Sequence, residues 1–272
     1  MTTASGPVAP IEHRLRFGQI AALYDRIRPG YPDALIDAVM DYGRLDPLAT
    51  VLDVGAGSGQ ATVQFAERGL SVIALDPSVE MVQIARAKCA AAGLEAVAVV
   101  GEFETYDLGE DRFGLICAAT SWHWLDPEVC YAVAARSIAP GGTLAVLSTW
   151  PLWRRTPLRP ALDAVYLHSG APLAEMGPMC LAEPDPGALA AEWMRETAAC
   201  GAFGDQRGKL ASWSVTYTAQ DYVDLLATYG DHIGLEDAVR SRLFEGVAHV
   251  IESAGGTIEL AYSTLLLLAR AR

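Results

Sequence analysis

The sequence predicts one α/β domain on a mostly parallel sheet, and three observations carry that reading. Short β-branched runs alternate with helix-like segments from Thr50 to Ser148. A glycine-rich turn, Gly55-Ala56-Gly57-Ser58-Gly59, directly follows the first of those runs. Of 272 residues 51% are apolar and 19% charged, which supplies a large core and rules out a disordered chain.

The elements follow in order. Val51-Leu52-Asp53-Val54 reads as a strand ending in glycines, and Gln60 to Arg68 as its helix. Ser71 to Leu75 is a second strand, closed by Asp76-Pro77. Ser78 can cap the next helix, in which Val82, Ala85 and Cys89 recur at helical spacing up to Gly93. Ala96 to Val100 and Leu115 to Ala119 are strands three and four. Asp126-Pro127 opens a helix to about Ile138, with Asp as N-cap and Pro in the first turn. Pro140-Gly141-Gly142 reads as a turn before a fifth strand, Thr143 to Leu147. Right-handed crossovers then make the five strands parallel.

After Trp150 the texture changes. Seven of the fifteen prolines lie between Pro151 and Pro186, and a short helical patch follows, Ala188 to Met194. Residues 151–208 therefore read as an inserted cap or lid. Trp213-Ser214-Val215-Thr216-Tyr217 alternates as a strand, Gln220 to Thr228 and Leu235 to Ile251 read as helices, and Thr257 to Ala269 as a closing strand.

Charge and composition exclude several classes. A net charge of −13 disfavours nucleic acid and an anionic membrane surface as partners. Five scattered cysteines with no CxxC pair suggest neither a disulfide framework nor a zinc site, and no metal is expected. With no basic, apolar leader at Met1 to Pro10, a cytoplasmic protein is expected.

The glycine turn carries the chemistry. Glycines at 55, 57 and 59 let a ligand approach bare backbone, and Asp76, seventeen residues after Gly59, can accept both hydroxyls of a ribose. A dinucleotide fingerprint would need glycine at position 60, where Gln60 stands, so a nicotinamide dehydrogenase is disfavoured.

Leu52 to Gly59, Ala74-Leu75-Asp76 and Pro140-Gly141-Gly142-Thr143-Leu144 stand in an order that resembles the class I S-adenosylmethionine-dependent methyltransferases. Phe17-Gly18, the segment Tyr24 to Pro32, Trp122-His123-Trp124 and Thr228-Tyr229 look like the small-molecule subgroup that includes trans-aconitate methyltransferase-like proteins. The resemblance implies a Rossmann-like seven-stranded sheet of order 3-2-1-4-5-7-6 with a reversed edge hairpin. It also implies a helical cover over residues 1–45, and S-adenosyl-L-methionine as cofactor with S-adenosyl-L-homocysteine as product.

The resemblance also suggests roles. Gly55, Ala56, Gly57 and Gly59 would lie under the cofactor beside Asp53, with Asp76, Pro77 and Met81 at its ribose side. Glu102 would meet the adenine amino group and Phe103 the purine face. Thr120 would touch the cofactor, Arg28 would pair with its methionine carboxylate, and Tyr24 and Tyr31 would cover it. His123, whose ordinary pKa lies near neutrality, is the candidate base. Ser121, Trp122, Trp124, Trp150, Tyr229 and His232 are expected in the acceptor pocket. Arg154, Arg155 and Arg159 open the insert and could attract a carboxylate. The implied activity is metal-independent methyl transfer to a small organic molecule, in the setting of secondary metabolism. The alternative is a non-methylating scaffold or sensor that binds the same cofactor.

Overall fold

The computed structural model describes residues 20–45, 49–171 and 183–272. Seven strands form one sheet in the order β3-β2-β1-β4-β5-β7-β6. They are β1 (Thr50–Val54), β2 (Ser71–Asp76), β3 (Ala96–Val100), β4 (Phe113–Ala119), β5 (Ile138–Pro151), β6 (Phe203–Thr218) and β7 (Thr257–Ala271). β1 to β5 pair in parallel, while β7 runs antiparallel to both β5 and β6. The expected strand order and reversed hairpin are both present.

The sheet is covered on two faces because its central strands are apolar on both sides. Leu52, Val54, Ile116, Leu144 and Val146 pack on one face with α5 (Cys130–Ser137) and α7 (Pro186–Ala199). Their alternating neighbours Val51, Leu115, Cys117, Ala145 and Leu147 pack on the other with α2 (Asp33–Gly43) and α3 (Gln60–Ala66). Flanking β2, α4 (Val79–Ala91) is capped by the Ser78 side chain, which accepts from Met81 N–H, as its sequence suggested. A third cluster joins α6 (Arg159–Ser169), α8 (Ala219–Leu226) and α10 (Asp237–Ser253) to the far end of the hairpin at Tyr217, Ile258, Leu260 and Tyr262. Two further short α-helices are α1 (Ala21–Ile27) and α9 (Gly230–Ile233).

Several boundaries differ from expectation. The Asp126-Pro127 segment is a turn, its Asp126 carboxylate accepting from Glu128 N–H, and the helix starts only at Cys130. Pro140-Gly141-Gly142 is no turn between elements: β5 begins at Ile138, and the glycines fall at a register shift opposite Phe113 and Leu115. β6 begins at Phe203, inside the expected lid, because its pairing with β7 runs nearly the whole length of both strands. Helices α6 and α7 pack on α10 and on β6 and β7 respectively. The N-terminal cover is represented by α1 and α2; Phe17 and Gly18 lie outside the described residues.

Candidate functional site

A cavity of about 460 Å³ opens at the carboxyl ends of the parallel strands, where open α/β sheets place ligands. Its floor is the turn after β1. Gly55 has φ +62°, and a Cβ there would stand 2.6 Å from the Ser121 Cβ, so the backbone can pass only without a side chain. Ala56 N–H donates to the Leu75 carbonyl, and Gly57 N–H donates to Asp76 Oδ2 at 2.8 Å. The other oxygen of Asp76 accepts from Ser78 N–H at 2.8 Å. One carboxylate thus holds the glycine turn and the β2 terminus together, and burial raises its pKa against those two N–H groups.

Asp53 lies deeper. Its Oδ2 accepts from Thr62 Oγ1 at 2.6 Å, and its buried Oδ1 has no hydrogen-bond partner among the described residues. Burial pushes this carboxyl up to about 6, opposed by Thr62 and reinforced by Asp76. Gln60 opens α3 beside it, with Oε1 taken by the Ser58 hydroxyl at 3.1 Å and Nε2 buried without a partner among the described residues. Across the floor, Thr120 at the end of β4 holds a left-handed φ of 62° and donates its N–H to the Leu147 carbonyl at 2.7 Å. That strained backbone points its hydroxyl to Tyr31 Oη at 3.1 Å.

The far wall is aromatic. Trp213 and Tyr262 stack with ring centroids 4.6 Å apart at 17°. Trp213 Nε1 donates to Thr264 Oγ1 at 2.9 Å, Thr264 pairs with Thr149 at 2.9 Å, and Tyr262 Oη pairs with Tyr217 Oη at 2.8 Å. Arg28, just past α1, spans to the loop after α8, its Nε donating to Thr228 Oγ1 at 2.8 Å and its Nη2 to the Thr228 carbonyl at 3.2 Å. His123 lines the cavity next to the Trp124 ring, and the protein around it lowers its pKa.

The structure brings most of the expected residues to this one cavity. Tyr24, Arg28, Asp53, Gly55, Ala56, Gly57, Asp76, Pro77, Met81, Glu102, Phe103, Thr120, Ser121, His123, Trp124 and Tyr229 all line it. Ser121 also has a structural task, its hydroxyl donating to the Val54 carbonyl and tying β4 to β1.

Four expected residues do not belong to the lining, each for a packing reason. Gly59 is the N-cap of α3, where a Cβ would meet Ala85 at 3.1 Å, so it allows α3 to close on α4. Trp122 is buried in the core, 6.1 Å from the Phe103 ring and 5.3 Å from that of Tyr131. Trp150 falls on the opposite side of β5 from its lining neighbours Thr149 and Pro151, as strand alternation requires. His232 is fully buried, with Nε2 on Tyr166 Oη at 2.8 Å and Nδ1 on Asp231 Oδ1 at 2.7 Å, a link that fastens α9 to α6. Nor do α6 and α7 supply any described residue to the lining: Arg155 pairs with Glu183 at 3.2 Å and Arg159 with Asp163 at 2.9 Å.

Gln60, Thr149, Trp213 and Tyr262 line the cavity and were not among the residues the sequence singled out. Alternation in Trp213-Ser214-Val215-Thr216-Tyr217 does put Trp213 and Tyr217 on one face, but nothing local says that face borders a ligand. Among the described residues no group of three or more His, Cys, Asp or Glu is placed to hold a metal ion, and no helix is long and apolar enough to cross a membrane.

Comparison with known proteins agrees with this geometry. Residues 51–142 match the model of a methyltransferase domain family. An uncharacterized methyltransferase of Mycobacterium tuberculosis strain H37Rv is 37% identical over 135 residues, covering 49% of this chain and 51% of its own. The chain thus spans about half the length of the curated relatives it matches. Among solved structures, a putative type II methyltransferase from Anaeromyxobacter dehalogenans superposes with a TM-score of 0.59 at 22% identity, over 89% of this chain and 97% of that one. Haemonchus contortus phosphoethanolamine N-methyltransferase 2, in complex with phosphomonomethylethanolamine and S-adenosylhomocysteine, gives 0.56 at 14% identity, over 96% and 59%. Residues 51–142 are thus similar to a methyltransferase domain, and the strand order is the one that the resemblance of the sequence implied.

Proposed function

We propose that the chain transfers a methyl group from S-adenosylmethionine to a small organic acceptor. One observation carries the reading: the cavity-lining residues Asp53 and Gln60 each hold a buried polar atom with no hydrogen-bond partner among the described residues, on either side of the glycine-rich turn. An unpaired buried acceptor and donor are costly unless a ligand supplies their complements. The amino-acid end of the cofactor carries an ammonium and a carboxylate, which complement a carboxylate oxygen and an amide N–H. The Haemonchus structure, which holds S-adenosylhomocysteine on the same fold, supports the choice of ligand.

In this reading the turn at Gly55 to Gly57 underlies the cofactor, Asp76 accepts from its ribose, and Glu102 from its adenine amino group. Asp76 already has each oxygen on a backbone N–H, which locks the carboxylate in place, and each oxygen keeps a second lone pair for a hydroxyl. Met81, Pro77 and Phe103 supply apolar walls, and Tyr24 and Tyr31 cover the site from the N-terminal segment. The bound cofactor supplies a methyl group already activated on a sulfonium, so the protein's task is alignment and exclusion of water. His123, whose pKa the protein around it lowers, would take a proton from an acceptor that must lose one.

Isothermal titration with S-adenosylhomocysteine tests the reading. Binding by the native chain, weakened about 100-fold in Asp76→Ala, is the expected result. No binding, or the same affinity in the variant, overturns it. Binding without turnover of any acceptor across a broad metabolite panel would instead favour the scaffold or sensor.

A further inference from the structure

The two halves of the cavity differ in charge. Its acidic lining residues, Asp53, Asp76 and Glu102, all stand on β1, on β2 or just after β3. The half beneath β6 and β7 holds Arg28 and no acid. Arg26, two residues earlier and exposed, pairs with both Asp221 and Asp224. Arg28 is half-buried, and among the described residues no carboxylate pairs with it. Its guanidinium lies 4.0 Å from the centroid of the Tyr229 ring and 5.2 Å from that of Tyr24. Nε and Nη2 are used by Thr228, which leaves Nη1 without a hydrogen bond among the described residues. Tyr229 Oη is likewise buried and has no partner among them. A half-buried cation with no carboxylate and a buried hydroxyl with no hydrogen-bond partner among the described residues stand side by side, and an anionic oxygen would serve both.

The rest of this half is an apolar plane. The polar edges of Trp213 and Tyr262 are consumed by Thr264 and Tyr217, so the stacked pair offers ring surface.

We propose that this half of the cavity binds an aromatic carboxylic acid, its ring against Trp213 and Tyr262 and its carboxylate on Arg28 and Tyr229. The proposal rests on the glycine-turn half being the cofactor cradle. It reassigns Arg28, which the sequence placed on the cofactor's own carboxylate: the guanidinium stands over the Tyr24 ring of α1 and the Tyr229 ring and donates to Thr228, both between α8 and α9.

The test titrates 4-hydroxybenzoate, salicylate and cinnamate, each beside its methyl ester, into protein saturated with S-adenosylhomocysteine. At least one acid is expected to bind about tenfold or more tighter than its ester. Arg28→Gln should erase that preference and Arg28→Lys keep part of it. Tyr229→Phe should reduce it about threefold. Affinity for S-adenosylhomocysteine should stay within about twofold in all three variants, which also shows that they fold.

Equal binding of every acid and its ester overturns the proposal. So does an Arg28→Gln variant that loses S-adenosylhomocysteine about tenfold yet binds 5′-methylthioadenosine, which lacks the carboxylate, as the native chain does; the cation would then belong to the cofactor. If native protein fails to bind S-adenosylhomocysteine at all, the cradle reading falls, and the acid and ester titrations into unliganded protein decide this one.

Discussion

The cradle at β1 and β2 and the aromatic wall at β6 and β7 border one cavity but are built in opposite ways. The cradle is local: Asp53 to Gln60 and Asp76 to Ser78 make nearly all of it, joined by hydrogen bonds such as Gly57 N–H to Asp76. The wall is distant in sequence: Arg28 reaches Thr228 across 200 residues, and Trp213 reaches Thr264 across 51. A cradle of backbone and fixed carboxylates suits a ligand that does not vary. A wall of interchangeable side chains on a hairpin can change its guest without disturbing the sheet.

Ways to break this division follow from the largest expected effect downward. Asp76→Ala removes the acceptor for two backbone N–H groups as well as for the ligand, so the loss of about 100-fold in S-adenosylhomocysteine affinity should exceed that of any wall variant. Gly55→Ala forces a Cβ against Ser121 at a left-handed φ. A cost of about 2 kcal/mol lowers the melting temperature by about 4 to 8 °C in a chain of this size, measurable by calorimetry.

Asp53 sets a pH dependence. Its folded pKa, about 6, lies above the ordinary carboxylate value. Its contribution to stability is therefore full below about pH 4 and is lost as pH rises through about 6. An ammonium ligand reverses this preference, since it pairs with the ionised form. Affinity for S-adenosylhomocysteine should rise about tenfold from pH 5 to 7, and Asp53→Asn should flatten that profile in titrations at each pH. A native profile that is already flat would separate Asp53 from the ligand.

Trp213→Leu sharpens the comparison from the other side. It should change S-adenosylhomocysteine affinity by less than about twofold, because the cradle owes nothing to β6. A larger effect, read by the same titration, would join the two halves into one binding unit.

The legibility of each half in the sequence follows from its construction. Gly55 and Gly57 are needed for a turn whose residues are neighbours in the chain, and Asp76 ends the next strand, so motif and spacing reveal them. Trp122 and Trp150 were legible as aromatic residues near the site but not as core: Trp122 sits on a short 3-10 turn after β4 that packs it against Phe103 and Tyr131, and the pairing of β5 decides which face Trp150 takes. His232 carried the right chemistry in a loop beside Tyr229. Its imidazole is used up by Tyr166, 66 residues away, a partner no local pattern announces.

The amino-acid sequence by itself determined the order of strands and helices, the glycine turn and the acid that anchors it, because hydrophobic period, turn chemistry and capping act over a few residues. Tertiary structure alone decided that Arg28 pairs with no carboxylate among the described residues, that Trp213 and Tyr262 form a wall, and that α6 and α7 supply no described residue to the cavity lining. Those outcomes depend on which surfaces meet when the sheet closes and its long hairpin packs on the C-terminal helices. Such encounters are settled by burial and shape across hundreds of residues, which no short stretch of chain encodes.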